Sequence, residues 1–269
     1  MKYIILVTIA LVICFIISFL ITYLIYRLTK RKIKKGIVII ITICGMFINF
    51  ILIGFIYLGI FYHADSSCKE YLKSSENVIV TKKKGYYFFD GKASDKAIIF
   101  YPGAKVEYTS YAPLMYKLAE SGIDTFLMDM PLNIAFFGVN KASTILNNYS
   151  YESFYISGHS LGGSVASIYA SKNKDKIDGV ILLASYSTKS LDDLKCLSIY
   201  GSNDGVLNKK KYEENKNNLG KNYKEVVLDG GNHANFGNYG SQNGDKKATI
   251  SKESQQKLTI DAINDFFEP

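Results

Sequence analysis

Gly158-His159-Ser160-Leu161-Gly162 follows the apolar run Phe154-Tyr155-Ile156 and leads into a stretch of small residues ending at Ala170. A serine hydroxyl is a poor nucleophile at neutral pH unless the backbone presents it to a base and to donors for an oxyanion. Glycine two residues before and two after Ser160 lets a strand turn sharply into a helix where larger side chains would strike neighbouring backbone. The spacing predicts a nucleophile elbow with Ser160 at its apex.

Such a serine needs an imidazole, and the chain offers His63, His159 and His233. His63 lies next to an apolar stretch, and His159 points away from its own neighbour. That leaves His233, in a loop after the apolar strand Glu225 to Leu228, where it can reach over a sheet edge. A carboxylate must hold the other imidazole nitrogen. Asp204, thrown over the edge by the turn Gly201-Ser202-Asn203-Asp204-Gly205, fits best, with Asp229 as the competitor. The oxyanion donors are expected to be the N–H of Leu161 and the N–H of Ala104, in Pro102-Gly103-Ala104-Lys105 after Ile98-Ile99-Phe100-Tyr101. Gly103 lets that loop turn back. Gly103, Lys105, His159 and Phe136 are the candidates for contacting substrate. This chemistry needs no metal and no organic cofactor.

These groups need a scaffold. After a hairpin over 77–80 and 86–89, apolar strand candidates at 97–101, 125–128, 154–156, 179–184, 196–200 and 225–228 alternate with helix candidates at 111–121, 141–148, 161–170, 189–194, 209–219 and 252–267. Continuous apolarity suits strands covered on both faces, so the class is α/β, a mostly parallel sheet with helices on each side. The polar, glycine-rich stretch 237–247 is expected to be a mobile loop.

Residues 3–26 and 37–61 are uncharged apolar runs, each long enough for the roughly 20 residues a helix needs to cross a bilayer. The first is too long for a signal-peptide core and is followed by no cleavage site. The expected organisation is a membrane anchor over 1–62, a juxtamembrane linker over 63–76 and one domain over 77–269. The basic connector Arg27 to Gly36 places that loop in the cytoplasm, and so the carboxy-terminal domain outside, in a multi-pass cell-membrane protein. Lys82-Lys83-Lys84 argues weakly the other way. Seven of the 32 basic residues and none of the 24 acidic ones precede residue 62. The formal charge of +8 is therefore a topology signal, and the near-neutral remainder argues against a nucleic-acid partner. Four scattered cysteines give no metal spacing; a Cys68–Cys196 disulfide stays open.

The runs Tyr101-Pro102-Gly103-Ala104-Lys105, Pro131 to Gly138, Gly158 to Gly163 and Gly230 to Gly237 together resemble the α/β-hydrolase superfamily, and more narrowly a compact bacterial group within it. The resemblance covers about 96–240 and leaves out the two apolar runs. It implies an α/β-hydrolase fold and the chain order serine, acid, histidine, which Ser160, Asp204 and His233 satisfy. Such hydrolases commonly carry a cap after the strand following the elbow helix. Here Ser185 to Cys196 leaves no room for one, so the cap should be minimal or absent and the site open. The aromatic pair Phe136-Phe137 would then be an apolar wall near Ser160.

The expected function is a membrane-anchored serine hydrolase, carboxylesterase-like, acting on a small-molecule or lipid and envelope ester, with membrane lipids around its two helices. Two alternatives remain at this point: a non-catalytic receptor or interaction module on the same fold, and a peptidase of that fold.

Overall fold

The computed structural model describes residues 2–29, 34–92, 94–221 and 223–268. Its contacts divide the chain into two compact units, Met1–Ile60 and Phe61–Pro269. The first holds helices α1 (Lys2–Thr29) and α2 (Lys35–Gly59), which contain the stretches Thr8–Leu28 and Gly36–Tyr57, each long and apolar enough to cross a bilayer. The two helices pack together through small and polar residues: Ser18 is buried against Gly45, and its hydroxyl accepts from Asn49 Nδ2 at 3.0 Å. Hydrogen bonds between polar side chains are the usual adhesive where lipid and leucine are equally apolar. The basic connector's Lys30, Arg31 and Lys32 lie outside the described residues.

The second unit is built on eight strands: β1 (Val78–Lys83), β2 (Tyr86–Gly91), β3 (Lys96–Tyr101), β4 (Asp124–Met128), β5 (Ser153–His159), β6 (Gly179–Leu183), β7 (Lys195–Gly201) and β8 (Lys224–Leu228). Their order is β1-β2-β4-β3-β5-β6-β7-β8, with the hairpin β1–β2 antiparallel and everything from β4 to β8 parallel. Along β3 the side chains alternate between two cores. Ile98 and Phe100 join one with helices α3 (Ala112–Glu120) and α7 (Lys252–Phe267); Ala97, Ile99 and Tyr101 join the other with α4 (Ala142–Leu146) and α5 (Leu161–Lys172). Covering on both faces is what makes these strands read as unbroken apolar runs. The short α6 (Lys209–Glu214) seats Tyr212 against Tyr200 and Leu207.

Two expectations are corrected, and the open question of the Cys68–Cys196 pair is decided. Residues 189–194 form no helix: Ser187 and Ser190 hydroxyls bond to Lys189 and Asp192 of their own loop, offering the backbone turns instead of helix, and Asp193 has φ 75°. The segment 63–76 is packed rather than a linker. Tyr62 pairs with the backbone of Lys105 and Glu107, a 3-10 helix spans Ser66–Leu72, and Tyr71 and Leu72 lie on the core. Cys68 and Cys196 are both free and buried, and burial pushes their thiols up to about 11 and about 12. No cap is inserted over 184–194.

Phe126, fully buried on β4, stacks on Phe88 at 4.6 Å and meets the edge of Tyr149 at 4.7 Å. Phe126→Ala removes the centre of that aromatic cluster and is expected to cost about 3–5 kcal/mol, read as a lower denaturation midpoint of the full-length chain in detergent.

Candidate active site

The direction in which strands are added reverses around β3, whose neighbours are β4 and β5. A crevice therefore opens beyond the carboxyl ends of β3 and β5, the place where open α/β sheets bind ligands. Ser160 follows β5 directly, at φ 52° and ψ −124°. A non-glycine residue held there costs about 1–3 kcal/mol, and its surroundings enforce the conformation: Ser160 N–H donates to Leu183 O at 2.9 Å, and Ser185 Oγ donates to Ser160 O at 2.7 Å. The expected glycine contacts are present. A Cβ on Gly158 would lie 2.5 Å from the Gly162 carbonyl carbon, and one on Gly162 would lie 2.2 Å from Tyr101 O.

Asp204 and His233 come together from the loops after β7 and β8. His233 Nδ1 and Asp204 Oδ2 are 2.8 Å apart, and both side chains are buried. Asp204 Oδ1 accepts from the amides of Val206 and Leu207 at 2.8 and 2.7 Å. Burial opposes ionisation of this carboxyl, but the His233 bond, its charge and the two amides outweigh it and hold Asp204 below its ordinary 3.8. An ionised partner at Nδ1 fixes the tautomer, with the proton on Nδ1 and the lone pair on Nε2. His233 Nε2 is buried and without a hydrogen-bond partner among the described residues. His233 and Ser160 line one cleft of about 210 Å³, together with Leu161, Ser185, Tyr186 and Leu207. Asp229, the competing acid, is exposed and bonded to Ser202.

The amides of Leu161, at the amino end of α5, and of Ala104 make no hydrogen bond among the described residues. Leu161 lines the cleft beside Ser160, at the positive end of the α5 dipole, whereas Gly103 and Ala104, in the loop after β3, are not on its wall. Gly103 is required by close approach: a Cβ would lie 2.9 Å from Tyr111 Oη and 3.0 Å from His159 Nδ1. Its N–H donates to Tyr111 Oη at 3.2 Å, which in turn sits 2.8 Å from His159 Nδ1.

The other candidates for substrate contact fall elsewhere. His159 is buried behind the site, its ring 4.5 Å from that of His233, and is absent from the cleft wall. Burial first, and then the neighbouring His233, hold its pKa well below 6.5. Lys105, at φ 57°, lies outside the cleft lining, and its N–H donates to Asn133 O. Phe136 is exposed and lines a separate shallow cleft with Phe137, not the wall beside Ser160.

Sequence reasoning missed the braces. Asp245 accepts from Gly205 N–H through Oδ1 and from Ala234 N–H through Oδ2, so one carboxylate spans the loops that carry Asp204 and His233. Gln255 on α7 pairs with both backbone groups of Asn232, at 2.9 and 2.8 Å. The stretch 237–247, expected to be mobile, is thereby tied down, with Tyr239 buried and Lys246 O accepting from Asn232 Nδ2. Only the position of Asp245 near a histidine-bearing loop hinted at this.

The buried imidazole of His159 stays neutral in the folded protein, whereas the unfolded chain takes up a proton below about pH 6.5. It therefore makes stability fall on acidification through that value, with a slope of up to about 1.4 kcal/mol per pH unit. Asp124 acts in the opposite sense. Burial raises its carboxyl to about 6, above its unfolded 3.8, so the folded form gains protons first and stability rises as pH drops through that window. The expected outcome is a shallow wild-type profile between pH 6.5 and 4, and a His159→Gln profile that rises toward acid, measured by denaturant titration at each pH. Gly162→Ala, which drives a Cβ into Tyr101 O, is expected to prevent accumulation of folded protein, seen as loss of the near-ultraviolet tyrosine signal.

A model of the alpha/beta hydrolase family matches residues 97–257. A search of curated proteins finds no match. Among solved structures, a predicted CIB-like hydrolase from Thermoplasma acidophilum is similar at 15% identity and TM-score 0.53, over 70% of this chain and 100% of that one. The Francisella virulence factor BioJ is similar at 16% and 0.54, over 74% and 88%. Carboxyl esterase 2 from the mycorrhizal fungus Tuber melanosporum is similar at 13% and 0.51, over 77% and 90%. At these identities the likeness is one of fold. With an elbow serine after β5, an acid–histidine pair after β7 and β8, and a family match across most of the second unit, the chain belongs to the alpha/beta hydrolase family.

Proposed function

We propose that the protein is a membrane-anchored serine hydrolase that cleaves an ester or related acyl bond through an acyl-enzyme. The observation that carries this reading is the buried Asp204–His233 pair, with His233 and Ser160 on the wall of one cleft and His233 Nε2 without a hydrogen-bond partner among the described residues. Ser160 Oγ attacks the acyl carbonyl while His233 Nε2 takes its proton, and Asp204 holds the imidazole and stabilises its positive charge. The amides of Leu161 and Ala104 receive the developing oxyanion. His233 then returns the proton to the leaving alcohol, the acyl-enzyme forms, and water activated by the same nitrogen releases the acid. Serine and imidazole are not hydrogen-bonded without substrate, a contact that commonly tightens only in the Michaelis complex. The esterase among the similar folds supports the choice of ester over amide.

The anchor reading rests on the two apolar helices, and the basic residues between them favour an extracytoplasmic domain. A fluorophosphonate probe applied to membranes is expected to label the wild type and not Ser160→Ala. Asp204→Asn should lower turnover of a p-nitrophenyl ester by about 10⁴, and His233→Ala by about 10⁶. Absence of labelling in the wild type would overturn the enzyme reading in favour of a binding module.

A further inference from the structure

The sheet's carboxyl edge carries more than the cleft. The chain joins the second unit at Phe61, and Tyr62 is hydrogen-bonded there to Lys105 O and Glu107 N, just past the end of β3. Lys105 N–H reaches Asn133 O, so the covalent link to the apolar helices, the loop of Ala104 and the segment 129–141 are neighbours on that edge. In that segment Met130 and Ala135 are buried and anchor it, which leaves Leu132, Phe136 and Phe137 facing out, about half exposed each. The antiparallel β1–β2 hairpin turns on the same edge. Asp129 N–H donates to Gly85 O, and Lys141 Nζ lies beside Gly85 while donating to Asp129 O. The exposed Lys82, Lys83 and Lys84 lie in the hairpin that turns on this edge, Lys141 lines the shallow cleft of Phe136 and Phe137, and across 82–87, 101–107 and 129–141 the acids are Glu107 and Asp129.

Exposed aromatics and lysines on one edge, the edge where a membrane tether begins, match the two halves of an anionic bilayer surface: acyl chains for the rings, headgroups for the ammonium groups. We propose that this edge rests on an anionic lipid bilayer through Leu132, Phe136 and Phe137, with Lys82–Lys84 on the headgroups, and that the cleft takes its ester from that bilayer. The substrate part rests on the hydrolase reading above; the contact part does not.

The chain contains no tryptophan, so Phe137→Trp supplies a single fluorophore at the patch. The full-length variant is reconstituted into phosphatidylcholine–phosphatidylglycerol vesicles containing lipid brominated in the acyl chain, alongside Leu258→Trp on an exposed face of α7. Quenching of Phe137→Trp, and not of Leu258→Trp, is expected. No quenching at residue 137, or equal quenching at both, overturns the contact. Weaker quenching after Lys83→Glu/Lys84→Glu is also expected, and unchanged quenching overturns the role of the lysines. Leu132→Ser/Phe137→Ser should lower hydrolysis of a long-chain ester in vesicles about tenfold or more while keeping a water-soluble short-chain ester within about twofold. Equal effects on the two substrates overturn the lipid-substrate assignment. Failure of the wild type on both esters overturns the hydrolase reading instead, and the quenching still decides the contact.

Discussion

The structure depends on one backbone contact, the seating of the α5 amino terminus against the carboxyl end of β3. Gly162 allows it, since a methyl group there would lie 2.2 Å from Tyr101 O, while Gly158 admits the first turn of α5 against β5, where a methyl group would lie 2.5 Å from the Gly162 carbonyl carbon. Beside that contact Ser160 holds its strained conformation, and Leu161 N–H, at the first position of α5, has no strand or helix partner among the described residues. The strain is carried by bonds beneath it, from Ser185 Oγ to Ser160 O and from Ser160 N–H to Leu183 O, not by the serine side chain. Its hydroxyl is left for chemistry.

A second condition concerns charge. Two imidazoles, His159 and His233, lie in contact in the interior, where one cation is costly and two are prohibitive. Their partners separate them. His159 faces the hydroxyl of Tyr111, a neutral group, whereas His233 faces the carboxylate of Asp204. In the proposed mechanism, positive charge that develops during proton transfer is therefore compensated at His233 alone. Asp204 can remain ionised in its buried position because two amides and the imidazole occupy its lone pairs.

The acid and histidine loops also need bracing, since each leaves a strand end near one side of the sheet. Asp245 and Gln255 provide it through backbone amides, so the brace fixes loop position without touching the reacting groups. This explains why a glycine-rich, polar stretch is ordered by its contacts. Composition registers its turns but not the single carboxylate that ties two other loops together.

The eight strands, the α/β class and the glycine-flanked turn at Ser160 were legible in the chain, because strand burial on two faces leaves continuous apolar runs and because a tight strand-to-helix turn admits glycine alone at its flanks. Local competition hid the rest: the serines of 187–190 turned an expected helix into a loop, and nothing in the segment 63–76 announced that Tyr62 would pair with β3's outgoing loop. Phe136 read as an apolar wall near Ser160; the structure instead puts it, exposed, on a separate cleft, because Met130 and Ala135 are the residues of its segment that are buried. The sequence by itself determined which residues are candidates for nucleophile, base and acid, since these are residue types at punctuated positions. Only the tertiary structure decided which acid meets the imidazole, which histidine is sealed behind it and which side chains wall the cleft, because those contacts join residues from separate strand ends and depend on the register and twist of the sheet between them.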